Sequence, residues 1–545
     1  MRHLLVIYLF CLSCSTGQAQ NDLRYNLSKY TRPLSTSYND ADANHSDLEN
    51  AERYLFRLHP TLVNWLNGQD TINHRERNML STSFVMQHLT GDYLHTEGNR
   101  NTSADVVAGG DMRIKGLGTL YGQVAYRRQK QRNVYFNYTT RPDDYTPYLV
   151  SDTVSVDDIH NEWYTIEGGL GARKKHFHYG ISGFYEGIAT AKETQPRRAV
   201  YSYWFRLAMN MAQINNRWLW SVRLYPEINK QSISVSSAVS TYRFLQSYGF
   251  GQWNRKESTS GYNYHRQYKI LGAGSDATFH LLPTFNGGNE ATLYLSYNYR
   301  WMQSEETSFK NLYATKSHHL SHQLHAKKTL GKLVDLYFQL DGQTTFRQGE
   351  ENIYENKKVN QEQSLYDYVQ VGTNHLFHHN EQTEHLQLKA IWKASTSHAW
   401  GIHGGSVFYR YEDRYDMPKL KTATSALAHH IGLNYQLTLP KDQLDCNMSV
   451  SVRHPLEHRY EVPLEHTHLE KAQAYIPYRL RSEHHWQTRV SLIYAHAIGT
   501  SDQIGFEFDA TYLKRTSLAD TTNLYNTLPD RRHALNLQVK LFYLF

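Results

Sequence analysis

The sequence predicts an all-β chain closed into a transmembrane antiparallel β-barrel of about 18 strands (range roughly 16–20), preceded by a short helical N-terminal segment. Three observations carry this. The N-terminus is laid out as an export signal, apolar and polar residues alternate with strand periodicity along the chain, and aromatic residues abound, with 42 Tyr, 20 Phe and 10 Trp. Aromatic girdles at the two membrane interfaces of a barrel account for that excess.

Taken in order, "MRHLLVIYLFCLSCSTGQAQ" opens with basic Arg2, runs apolar from Leu4 to Leu12, and reaches a small-x-small cleavage site at Gly17-Gln18-Ala19. Residues 1–19 read as a signal peptide, because the run is too short to span a bilayer as a helix. Lipidation at Cys14 is opposed by Cys11, which sits where a lipobox wants Leu. With Cys11 and Cys14 in the signal, only Cys446 remains, so no internal disulfide is expected despite an export route that permits them.

Residues 20–78 form the next unit. "SDLENAERYLFRLHP" pairs Ser46 with Glu49 as a capping box and puts Leu48, Ala51, Leu55 and Leu58 on one helical stripe. Pro60 ends that helix, and Gly68 is a plausible stop for the piece that follows. The segment folds into the lumen as a small plug, hangs in the periplasm, or is a partly ordered leader, the last carrying equal weight.

The barrel is expected over 79–545. Tyr201, Tyr203, Phe205, Leu207, Met209 and Met211 alternate with Ser202, Arg206 and Asn210. The same period sets Leu293, Leu295, Tyr297, Tyr299 and Trp301 against Ser296, Asn298 and Arg300. It recurs in Trp218–Leu224, in "LVDLYFQLD", and in Ile504, Phe506, Phe508, Ala510 and Tyr512. Successive strand side chains point to opposite faces, so each segment has one apolar and one charged face. A sandwich core would not tolerate those charges; a wet lumen does. Cys446 falls on the apolar face with Met448 and Val450, an inert position. Short turns are expected near 213–216, 328–332, 440–442 and 499–502, and long connections near 131–160, 303–316, 346–366, 455–482 and 514–532. Strand-like segments number about 20. Strict alternation of short and long connections fails around 233–263 and 380–425, and demoting one candidate in each region leaves about 18.

The chain ends "HALNLQVKLFYLF", with Leu535, Leu537, Val539, Leu541, Tyr543 and Phe545 on one face. Together with the signal ending in "AQ" and the Tyr-rich strands, this resembles outer-membrane β-barrels of the Bacteroidota kind. The segments "TPYLVSD", "EWYTIEGGLG" and "QPRRAV" are similar to parts of an uncharacterised barrel family of that phylum. The resemblance implies the outer membrane of a Gram-negative bacterium, with Tyr543 and Phe545 as the insertion signal read by the barrel-assembly machinery. It also implies a neighbourhood of TonB-dependent receptors and surface lipoproteins, hence transport or nutrient uptake. Replacing Tyr543 with Asp or deleting Phe545 should leave the protein unassembled; normal membrane levels with heat-modifiable mobility in such variants would defeat the assignment.

The chemistry is otherwise sparse. A net charge of +7, spread along the chain, does not suggest nucleic acid and suits anionic lipid head groups. A TonB-dependent receptor needs a large folded plug before its barrel, for which 20–78 is too short. Ser, His and Asp show no catalytic grouping, so the chain is read as no enzyme and as using no cofactor. Arg206, Arg223, Arg300, Arg489, Glu507, Asp509 and Lys540 are lumen-facing candidates, either setting a selectivity field or pairing to keep the lumen solvated. The 31 histidines include adjacent pairs, which alternation splits between the two faces. The densest group, His458, Glu465, His466 and His468, is a candidate site for a borderline metal; the competing reading is ordinary polar loop residues. The function these features support is a channel for small polar solutes. The alternative is a plugged barrel acting through its loops as partner or scaffold of a surface uptake complex, a role to which the Tyr-rich stretch 133–152 lends itself.

Overall fold

The computed structural model describes residues 77–544, apart from 92, 116, 136, 153–156, 193–196, 216, 237–242, 251, 258–262, 282–288, 307–308, 332, 361–364, 464–469, 499–501 and 519–532. The signal, the Ser46–Leu58 helix and Phe545 lie outside the described residues.

The strands in chain order begin with Arg77–Thr90 (β1), Arg100–Ile114 (β2), Gly118–Val134 (β3), Val150–Asp152 (β4), Asp157–Lys174 (β5), Phe177–Lys192 (β6) and Arg197–Ile214 (β7). Next come Trp218–Ser236 (β8), Arg243–Gly249 (β9), Gln252–Glu257 (β10), Asn263–Leu281 (β11), Glu290–Glu306 (β12), Phe309–Leu330 (β13) and Val334–Asn360 (β14). Leu365–Lys393 (β15), His398–Asp416 (β16), Lys419–Thr438 (β17), Asp442–Glu461 (β18), Glu483–Ala497 (β19), Gln503–Leu518 (β20) and His533–Leu544 (β21) complete the set. Eighteen of them form one antiparallel sheet, each paired with its neighbours in the chain. The sheet closes where β1 meets β21, from Met79 opposite Leu544 to Thr90 opposite His533. Closure leaves no open edge to hydrogen-bond with water, the condition for crossing lipid as sheet.

Alternation fixes the two faces. Along β8 buried and more exposed residues alternate through all 19 positions. Trp220, Val222 and Leu224 point out, and Ser221, Arg223, Glu227, Asn229 and Gln231 point in. Leu80, Phe84, Ile166, Tyr201, Met209, Leu295, Ile402, Leu433 and Leu541 extend the exposed apolar surface around the wall. An outward apolar belt over a polar interior is the signature of a membrane-spanning barrel. Cys446 and Tyr543 lie on the outward face, where the Tyr543 hydroxyl donates to Asp502 at 3.2 Å.

Connections sort by end. At one end lie the short turns 175–176, 215–217, 331–333, 394–397, 439–441 and 498–502, together with the start of β1 and the end of β21. At the other end lie the connections after β3, β8 and β18, among them the described residues 137–152, 243–250, 252–257 and 470–482. Two expected long connections are corrected. In place of loops at 303–316 and 346–366, β12 and β13 stay strand to Glu306 and from Phe309, and β14 and β15 to Asn360 and from Leu365. Residues 352–360 pair only with 365–373, a two-stranded ribbon standing beyond the neighbouring strands. Such a ribbon keeps its backbone hydrogen bonds where no lipid requires an apolar face, so pairing persists after the alternation fades. Around 233–263, β9 and β10 leave the wall and join β4 in a separate three-stranded sheet.

Candidate functional site

The site is the interior at the long-loop end, and it begins with an inversion of pattern. In "QSISVSS" of β8 the inward positions turn apolar, Ile233 and Val235, while outward positions become serine. Val200, Tyr264, Tyr268, Ile270, Met302 and Tyr313 add to this inward apolar patch. The connection after β3 folds in to cover it. Pro142 opens a short helix, Pro142–Tyr145 (α1), as its fixed φ favours at a first turn. Tyr145, Tyr148 and Val150 of this connection are fully buried, and Leu149 nearly so. The Tyr-rich stretch expected to present an external binding surface therefore packs inside the barrel. Burial of its rings is its main hold, with Tyr148 stacked on Tyr313 at 4.6 Å and Tyr145 against Tyr268 at 4.5 Å between centroids.

Polar contacts fix the loop's position. The Tyr268 hydroxyl donates to the Tyr148 carbonyl at 2.6 Å, and the Tyr145 hydroxyl to Asn229 at 3.0 Å. Thr140 donates to Gln231 at 2.6 Å, and Arg198 donates to the Asn137 carbonyl. Arg141 pairs with buried Glu186, its guanidinium 4.8 Å from the Trp204 ring centre. From β14, the strand beside that of Tyr313, Arg347 Nη1 donates to the carbonyls of Asp143 at 2.6 Å and Thr146 at 2.9 Å. Gly349, two residues on along the same strand, lacks the Cβ that would sit 2.5 Å from the Tyr148 hydroxyl.

The expected lumen-facing residues all lie on the inward face. Arg206 and Arg300 meet at Glu227, with Arg300 Nε 2.7 Å and Arg206 Nη2 3.1 Å from its carboxylate. Arg300 also reaches Asp144 of α1 at 3.3 Å, which ties this network to the loop. Arg223 pairs with Asp276 at 2.6 Å, Arg489 with Asp509 at 2.7 Å, and Glu507 stands opposite Lys540. The adjacent histidines split as alternation requires, with His319, His379, His430 and His485 inward. Lower on the wall His325 lies 2.7 Å from Asp341, and the His385 and His430 rings stack at 5.5 Å. Among the described residues no group of three is arranged to hold a metal. Of the loop candidates, His458 is exposed at the end of β18, and Glu465, His466 and His468 lie outside the described residues.

Between the loop and the wall of β13–β17 a cavity of about 260 Å³ remains, closed on a third side by the helical segment that ends in Ile476–Arg481 (α2). Asp143, Asp144, Glu381 and Asp413 line it, with Arg347, Arg481, His379, Tyr409 and Tyr411. His379 Nδ1 lies 2.8 Å from Asp413, which also accepts from the Tyr411 hydroxyl at 2.6 Å. The Arg481 guanidinium lies flat on the Tyr411 ring, 3.1 Å from its centre. Ser247 at the end of β9 donates to Gln473 beside α2 at 2.7 Å and closes the roof. Sequence reasoning missed this cavity because its parts are far apart in the chain; the inversion in β8 is the one local signal of something packed inside.

The Asp143 carboxylate opens onto the cavity. The side chain is exposed within the lumen, yet the protein packed around it, then Glu381 and Asp144, pushes its pKa up to about 6, against the pull of Arg347 and Arg481. A carboxyl raised in the folded state contributes stability that is complete below its unfolded pKa and is lost as the pH rises through about 6. Lowering the pH from about 7.5 to 5 should therefore seat the loop more firmly. Slower amide exchange over 143–149 at the lower pH is the expected reading, and faster exchange would contradict it.

With this geometry in place, the chain is compared with known proteins. It belongs to a family of unknown function, DUF6850, whose profile matches residues 71–544. No curated protein matches the sequence. Among solved structures it is similar to the ferric-catecholate import receptor Fiu from K12 E. coli, at 6% identity and TM-score 0.36, covering 85% of this chain and 81% of that one. The siderophore receptor PirA from Pseudomonas aeruginosa matches at 7% identity and TM-score 0.35, covering 86% and 80%. The TodX monoaromatic hydrocarbon channel matches at 8% identity and TM-score 0.29, covering 89% and 92%. Likeness at this level adds nothing to what the strand register itself establishes.

Proposed function

We propose that this member of the family is an outer-membrane transport barrel for a small polar solute, held closed by its own inward-folded loop. The observation that carries the reading is the seat of 137–150: buried tyrosines against β8 and β11–β13, and Arg347 of the adjoining β14 on its backbone. The apolar belt supports a barrel seated in a bilayer, and inward Arg206, Arg223, Arg300, Glu227 and Asp276 give a path suited to polar cargo. A freely open porin does not need a loop fixed by both ring burial and backbone hydrogen bonds. A second reading, a permanently plugged scaffold of a surface uptake complex with a TonB-dependent receptor or surface lipoprotein, draws support from the same burial.

Conductance in planar bilayers separates these. The intact protein should be silent, and a variant with 137–150 replaced by a short Gly/Ser linker should conduct stably. Steady conductance from the intact protein would make it an open porin. Silence from both, with heat-modifiable mobility intact, would leave the scaffold reading.

A further inference from the structure

We infer that the cavity enclosed by the inward loop, α2 and the wall of β13–β17 binds a small organic cation, an ammonium-bearing solute of a few carbons. The inference deepens the transport reading by naming a solute class, and it rests on that reading for its biological sense.

Charge comes first. Glu97, Asp143, Asp144, Glu381 and Asp413 line the cavity against Arg347 and Arg481; Asp144 is already matched by Arg300 and Arg141, and Asp413 by His379. The arginines are set against the carboxylates already present: Arg347 serves two loop carbonyls, and Arg481, over Tyr411, acts on Glu381 and Asp413. The acceptors are less committed. The Asp143 carboxylate makes no hydrogen bond or ion pair among the described residues while opening into the cavity. Glu381 has long contacts, 3.7 Å to His379 and 3.4 Å to the Tyr409 hydroxyl. Asp143 and Glu381 repel one another across the space, which a positive charge between them would relieve.

The lining then selects the kind of cation. Phe250 and Phe377 border the cavity, while the Tyr411 and Tyr409 rings already face Arg481 and Arg453, and aromatic faces attract ammonium groups that carry apolar carbon. A bare divalent metal wants several oxygen or imidazole ligands converging on one point, an arrangement not found among the described residues. A volume near 260 Å³ suits a molecule of a few carbons and excludes a large chelate.

The test is calorimetry on the full-length protein in detergent at pH 7.5, with 1,4-diaminobutane, 1,4-butanediol, succinate and magnesium chloride as probes. The diamine should bind at one site, weaken at least about tenfold in Asp143→Asn and further in Asp143→Asn with Glu381→Gln, while the diol and succinate stay silent. Heat-modifiable mobility of each variant establishes that it is folded. Absence of diamine binding, binding unchanged in the folded double variant, or preference for succinate would each overturn the inference. Magnesium binding that is lost in the same variants, without diamine binding, would overturn it in favour of an inorganic cation. The conductance experiment is separate: an occluded barrel that ignores the diamine defeats only the solute class, and an open barrel that binds it defeats only the occlusion.

Discussion

Glu227→Ala should cost the barrel about 3–5 kcal/mol, the range for removing one partner of a buried ion pair. Glu227 is 5% exposed and accepts from four donors: Arg300 Nε at 2.7 Å, Asn298 at 3.0 Å, Arg206 at 3.1 Å and the Trp204 indole at 3.2 Å. Its loss leaves two guanidinium groups facing each other inside the wall, with Asp144 as the carboxylate still near Arg300. Alanine removes the charge and both acceptor oxygens, whereas glutamine keeps one acceptor and the volume. Glu227→Gln should therefore fall between alanine and the native protein. The temperature at which the folded band converts to the unfolded one on gels reads the effect. A shift for alanine no larger than for a surface substitution would show that the network is solvated and that Glu227 holds nothing in place.

Arg347→Ala should turn the silent barrel into one that conducts in bursts. The guanidinium makes two bonds to loop carbonyls and a third, from Nε, to Ser317 at 3.0 Å on the neighbouring strand. A hydrogen bond from a charged group contributes about 1.5–3 kcal/mol, so losing both loop contacts shifts the seated-to-released balance by roughly two to four orders of magnitude. The tyrosine burial against β8 and β11–β13 remains, which is why bursts are expected and not a permanently open pore. Arg347→Lys, a point charge without the planar fork, should give an intermediate opening rate. Conduction unchanged from the native protein in both variants would mean that the tyrosines alone hold the loop.

The wall was legible in the sequence because lipid imposes a rule on every second residue. The outward sets in β7, β8, β12, β20 and β21 were readable one strand at a time, since each depends only on its own residues. Reading failed where the lipid rule stops. The extensions of β12–β15 carry Glu, Gln, Asn and Lys on both sides, and strand pairing there depends on a partner strand that composition does not announce. The interior was illegible for a related reason. Arg347 finds the Asp143 carbonyl across 204 residues, and Tyr268 finds the Tyr148 carbonyl across 120. A loop of "NYTTRPDDYTPYLVSD" has the same composition whether it faces solvent or a lumen; only the apolar patch at Ile233 and Val235 decides, and that patch is on another strand.

The seam between β1 and β21 bears on how the molecule is made. Every other pairing in the wall joins strands that follow one another in that sheet, so each can zip as a hairpin soon after it is synthesised. Met79 opposite Leu544 is the exception, a contact between the first strand and the last. Contact order is thus concentrated in one step. Chain entropy raises the barrier for that step only slowly with loop length, yet until it is taken two bare edges are available to any other strand. The competition between closing and aggregating is settled at β1 and β21. Substitutions there should alter the yield of assembled protein through the rate of closure, even where they leave the finished barrel as stable as before.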